Sequence, residues 1–151
     1  MNKLRINKDL YVIEVNDKGE TIEFGPDDIE LVFKLDRAYK AVLKVQDNLK
    51  ADLLIISKRQ DVTKKGEMMS ENDKDTIKAY KKAFMEMRAA YDGFLGEGAC
   101  QKIFGDRNYL EMFNDLNNEL QPHFEKMKLN REKVVNKIKE KYANIDEDVL
   151  K

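Results

Sequence analysis

The stretch Gly96–Leu120, GEGACQKIFGDRNYLEMFNDLNNEL, decides how this chain folds. Three glycines, Gly96, Gly98 and Gly105, punctuate a short apolar segment between two long patterns of helical periodicity, so the turns made here set how those helices meet. Gly96 and Gly98 are expected to stop the first helix in left-handed backbone. Ala99–Phe104 suits one short helical segment, and Gly105 sits where a C′ glycine would end it. Asp106 or Asn108 can cap the helix that follows. Nothing in the stretch carries a catalytic signature.

On the N-terminal side, Ile77, Tyr80, Phe84, Met87, Tyr91 and Phe94 recur at spacings of three and four, which predicts a helix with one narrow apolar stripe. Ser70 with Asp73 resembles a capping box at its start. Before it, DVTKKGEMM at Asp61–Met69 breaks the periodicity, contains Gly66, and reads as a loop. A first long helix, entered near Asp27-Asp28 and ending near Arg59, follows from Leu35, Tyr39, Val42, Leu43, Leu49, Leu53 and Ile56. On the C-terminal side, Leu110, Phe113, Leu116, Leu120, Phe124 and Met127 form a further stripe. Pro122 within it removes a backbone donor and crowds the carbonyl four residues back, so a kink or break is expected. The stripe continues through Val134, Ile138 and Tyr142 after a restart near Asn130. Residues 143–151 are expected to fray.

The N-terminal part has a different period. YVIEVNDKGETIEF, between Leu10 and Phe24, alternates apolar and polar residues around Asn16-Asp17-Lys18-Gly19, and Gly19 can supply the positive φ that closes a hairpin. Tyr11, Ile13, Ile22 and Phe24 make one face apolar, and a lone hairpin is marginal in water, so helices must cover it. The fold expected is mainly α: an antiparallel helix bundle with an N-terminal β-hairpin packed on it. A single domain is expected over residues 1–151, with the hairpin at 10–24 and the helical bundle at 28–142.

Composition excludes several function classes. The chain has 151 residues, enough for a core without disulfides. Lysine and arginine number 28 against 29 acidic residues, so no global attraction to nucleic acid or an anionic membrane is expected. One cysteine, Cys100, and one histidine, His123, cannot make a Cys/His zinc site. MNKLRINKDL is charged where a signal peptide needs an apolar run, and no segment approaches the ~20 apolar residues of a membrane span. A reducing interior is the expected home.

The remaining motifs favour structure over chemistry. Gly93 and Gly98 have P-loop separation, but Ala99 and Cys100 stand where Lys and Ser or Thr must reach phosphate and magnesium. A dinucleotide fingerprint beginning at Gly96 fails at Gln101 and lacks a preceding strand. No cofactor, metal site or catalytic residue is therefore expected, and Gly96, Gly98 and Gly105 are read as structural turns. His123 is read as structural or solvent-facing, Cys100 as a small buried residue, and the group Asp27, Asp28 and Glu30 as the start of a helix. Between Glu125 and Lys141 seven basic residues stand against three acidic ones, without the interleaved aromatics that stack on bases. Met68 and Met69, in the loop beside Gly66, are the candidates for partner contact, because unbranched thioether chains re-pack on varied surfaces.

The run Phe94–Gly105, FLGEGACQKIFG, followed by Asp106, Asn108 and a helix, resembles a segment of small proteins encoded by tailed phages and prophages of Gram-positive bacteria. Those proteins are similar to tail assembly chaperones encoded beside the tape-measure protein. Asp28-Ile29-Glu30-Leu31 with Leu35, Arg37, Ala38 and Tyr39, and the charged segment from Arg131 to Tyr142, resemble the same family. The likeness runs from Thr21 onward and rests on glycine turns and apolar helix positions. It implies a non-enzymatic protein of the bacterial host cytoplasm that binds the tape-measure or tail-tube protein, with homo-oligomers possible and no catalytic residue to carry over. Two rivals are a structural phage tail component and a nucleic-acid-binding regulator using the Lys126–Lys141 face.

Overall fold

A computed structural model describes residues 1–4, 6, 9–127 and 135–141. The restart near Asn130, Val134, Tyr142 and the tail 143–151 lie outside the described residues. The fold is mainly helical, with an N-terminal antiparallel hairpin packed against helix. The chain folds as two compact units, Met1–Phe33 with Tyr109–Lys151, and Lys34–Asn108.

In the first unit, β1 (Tyr11–Glu14) pairs with β2 (Thr21–Phe24), Tyr11 opposite Phe24 and Ile13 opposite Ile22. The turn forms because the Asn16 side chain accepts from the backbone amides of Lys18 (3.0 Å) and Glu20 (3.2 Å), while Gly19 takes φ 79°. Ile22 and Phe24 are buried, whereas Val12, Glu14 and Glu23 face water. The covering element is the helix Met112–Lys126. Phe24 meets Phe124 edge-on at 5.8 Å, and the Tyr11 hydroxyl hydrogen-bonds His123 Nδ1 at 2.8 Å.

That helix departs from expectation at both ends of its stripe. It begins only at Met112, so Leu110 lies before it and is exposed, while Met112 is 0% exposed and joins Phe113, Leu116 and Leu120 in the core. Neither Asp106 nor Asn108 caps it: Asp106 accepts from Gln101, and Asn108 accepts from Arg88. Pro122 does not break it. The helix runs through to Lys126 with Pro122 and Asn118 both exposed, so water can satisfy the carbonyl that proline leaves without a donor.

The long helix α1 (Glu30–Ser57) starts in this unit, where the Asp28 carboxylate accepts from the Glu30 amide at 2.9 Å and occupies one orphan donor. Its remainder, from Lys34, belongs to the second unit with α2 (Glu71–Leu95) and α3 (Ala99–Phe104); the helix Met112–Lys126 is α4. Helices α1 and α2 run antiparallel. Arg59 pairs with Asp75 at one end, and Arg37 and Ala38 share a groove with Ala90 and Gly93 at the other.

The buried line of α2 is Ala83, Met87, Tyr91 and Leu95, rotated from the stripe expected. Ile77 is exposed and Phe84 and Phe94 are only half-buried. Ala83, Met87, Tyr91 and Leu95 recur every four residues along one side of the helix, and Phe84 and Phe94 fall on the flanks of that line.

Candidate functional site

The glycine stretch is held from α2. Gly98 is left-handed (φ 77°, ψ 4°), but Gly96 (φ 115°, ψ 150°) and Gly105 (φ 64°, ψ −144°) combine positive φ with extended ψ, so only one of the three makes the left-handed turn expected. The Asp92 carboxylate accepts from the Cys100 amide at 2.8 Å, substituting for a cap that glycine cannot provide. Arg88 donates to Asn108 and to the Arg107 carbonyl, 2.9 Å each, and stacks over Phe104. The bonds to the Cys100 amide and the Arg107 carbonyl position backbone.

Cys100 is buried, and its thiol donates to the Arg88 carbonyl at 3.6 Å. Burial, then the hydrogen bond and charge of Asp92, push its pKa up to about 12, which keeps it protonated and non-nucleophilic near neutral pH. His123 stands on α4 with Tyr11 as its partner, the ring centroids 5.7 Å apart. Cys100 and His123 belong to different units. Among the described residues no group of three or more His, Cys, Asp or Glu could hold a metal ion, and no helix is long and apolar enough to cross a membrane.

The loop between α1 and α2 is more elaborate than its sequence suggests. The Asn72 side chain donates to the Ile56 carbonyl in the last turn of α1 and to the Arg59 carbonyl just after it, 3.2 Å each. In the reverse direction the Asp61 carboxylate accepts from the Asn72 amide at 3.2 Å. Ser70, itself buried, accepts from the Asp73 amide at 3.1 Å, and the Glu71 amide donates to the Val62 carbonyl at 2.8 Å. The Ser70 hydroxyl bonds Asp61 and holds its carboxyl below the usual 3.8; desolvation opposes this, and the amides of Asn72 and Val62 and the Arg59 charge reinforce it.

Charges brace the same loop. Lys74 pairs with Glu67 and with Glu71, and Lys64 lies 3.7 Å from Glu71. Gly66 takes φ 82° at the tip, and the Glu67 amide closes a turn on the Lys64 carbonyl. The two candidate methionines follow at once: Met68 is 99% exposed and Met69 is 40% exposed. Leu54 and Ile55 at the end of α1, Val62 in the loop and Ile77 early in α2 are exposed as well. The helical hairpin therefore presents apolar side chains from a loop whose two stems are tied by hydrogen bonds.

Sequence reasoning placed Met68 and Met69 in a loop but missed Asp61 and Asn72, which hold that loop. The available signal was an Asp four residues after a helix end and an Asn two residues after the next N-cap, both types that bond local backbone. The basic stretch is only partly described. Residues 135–141 are helical and exposed, and Lys137 approaches Asp27 at 3.4 Å. Comparison with protein-family models, curated proteins and solved structures finds no match.

Proposed function

We propose that this chain is a non-enzymatic binding protein of the bacterial cytoplasm, similar in role to a phage tail assembly chaperone, which holds a tape-measure or tail-tube protein soluble until assembly. The observation that carries the reading is the braced loop with Met68 at its tip. A fully exposed methionine on a loop fixed by Asp61, Ser70 and Asn72 loses little further order on binding, and its unbranched side chain adapts to an apolar client. Densely charged helix faces, from a composition 38% charged, would keep a complex soluble. The resemblance of the Phe94–Gly105 run supplies the client class.

The test is co-expression with a tape-measure or tube protein encoded beside this chain. The client's soluble yield rises and the two co-purify; Met68→Asp with Met69→Asp weakens both effects while the circular dichroism of the protein is unchanged. Unaltered solubility together with no co-purification removes the chaperone reading. A double variant as active as the wild type removes only the loop's part in it.

A further inference from the structure

The outer face of α1 puts two large apolar side chains into water: Tyr39 is 62% exposed and Leu43 is 42% exposed. A helix turns by about 100° per residue, so Leu43 lies about 140° around from buried Ala38 and about 160° from buried Val45. It therefore points away from the core. Four charged residues share this face, within about 60° of Leu43: Asp36, Lys40, Asp47 and Lys50, all exposed.

Their order along the helix is acid, base, acid, base, and it is matched about Leu43. Asp36 stands seven residues before Leu43 and Lys50 seven after it; Lys40 stands three before and Asp47 four after. Turning the helix end for end about Leu43 thus lays each acid over a base. Asp36 and Lys40 pair with each other at 2.9 Å, but both side chains are more than half exposed, so each keeps room for a second partner. Among the described residues, Asp47 and Lys50 have no ion-pair partner.

We infer that this face is the docking site for a second copy of the same chain, the two α1 helices lying antiparallel about a two-fold axis at Leu43. Leu43 then packs on its own copy with Tyr39 beside it, and the charges close around this apolar centre. Asp36 of one copy meets Lys50 of the other, and Lys40 meets Asp47, each twice by symmetry. The pair inside each chain is kept and becomes part of a network.

The order of the charges selects this occupant. Two copies docked parallel and in register set Asp36 on Asp36 and Lys50 on Lys50, which repel. A nucleic acid meets as many carboxylates as ammonium groups on this face. An apolar client segment takes all four charges from water and returns no partner to any of them. An occupant must present the reversed order of signs, and a second copy turned end for end does so. The methionine loop has no part in this surface, and the inference stands whichever client the chain binds.

The test is sedimentation equilibrium of the full-length protein from about 1 µM to about 300 µM, which shows a reversible monomer–dimer equilibrium. Leu43→Asp, at an exposed position, abolishes the dimer. Lys50→Glu raises its Kd at least about tenfold, since two like-charge contacts replace two ion pairs, and Asp36→Lys added to Lys50→Glu restores it. Circular dichroism verifies that each variant folds. Oxidation of Leu43→Cys gives a disulfide-linked dimer, whereas the wild type, whose Cys100 is 1% exposed, gives none. Asp36→Cys mixed with Lys50→Cys crosslinks, and Asp36→Cys alone does not. Met68→Asp with Met69→Asp leaves the dimer intact, so this surface and the client loop are read separately. The inference is overturned by a monomer at every concentration, by a dimer indifferent to Leu43→Asp and Lys50→Glu, or by crosslinking of Asp36→Cys to itself in place of Lys50→Cys.

Discussion

Asp61 is a surface carboxylate that organises a loop, and its titration should be visible in the stability of the fold. Its pKa is depressed in the folded state, chiefly by the Ser70 hydroxyl, so the native protein favours the ionised form. The sign follows: the stabilisation is fully present above the unfolded-state value near 3.8 and is lost as pH falls through the lower folded-state value. In urea melts, the stability gap between wild type and Asp61→Asn should be constant from pH 7 to about pH 4 and close below it. A gap that persists unchanged at the acid end would mean that the ionised state of Asp61 contributes nothing to the stability of the loop. Asn72 depends on the same geometry. Its amide donates to Asp61 while its side chain serves the carbonyls of Ile56 in α1 and Arg59 after it, so one residue closes both ends of the loop.

A helix start and a helix interior illustrate opposite uses of restricted backbone. At Gly98 an added Cβ would meet no atom within 4 Å, so the cost of Gly98→Ala comes from φ 77° alone and should be about 1–2 kcal/mol. At Pro122 the ring sits inside α4 on an exposed face, and Pro122→Ala should restore one backbone hydrogen bond. The expected gain is about 1–3 kcal/mol, the helix-interior penalty less the loss of proline's stiffening of the unfolded chain. Thermal melts of the two variants should therefore move in opposite directions. Loss of stability in Pro122→Ala would show that the ring makes packing contacts worth more than the missing bond.

For the whole molecule, near-balanced charge and exposed apolar side chains make solubility the property to watch. Phe33, Tyr39, Leu54 and Ile55 of α1 all face water, and the isoelectric point is about 6.0. Solubility should pass through a minimum near pH 6 and rise by pH 8, measured as protein remaining after centrifugation; a flat profile would mean that these side chains are already covered by association. Much of this fold was legible beforehand, because hydrophobic period separates a hairpin from helices: Tyr11, Ile13, Ile22 and Phe24 alternate, and glycines at 96, 98 and 105 mark where helix must stop. Those are local properties, dictated by steric limits on φ and by which face of an element is apolar. The sequence by itself also placed Met68 and Met69 in a loop, since Gly66 and the polar run around it support no helix. What tertiary structure alone decided is the rotation of α2 about its axis, which buries Ala83 and leaves Ile77 in water, because the face of a helix that is covered depends on where its neighbours lie, which no hydropathy pattern marks. It alone decided that Asn72 and Asp61 would each serve the other helix's end, since that depends on α2 lying antiparallel beside α1.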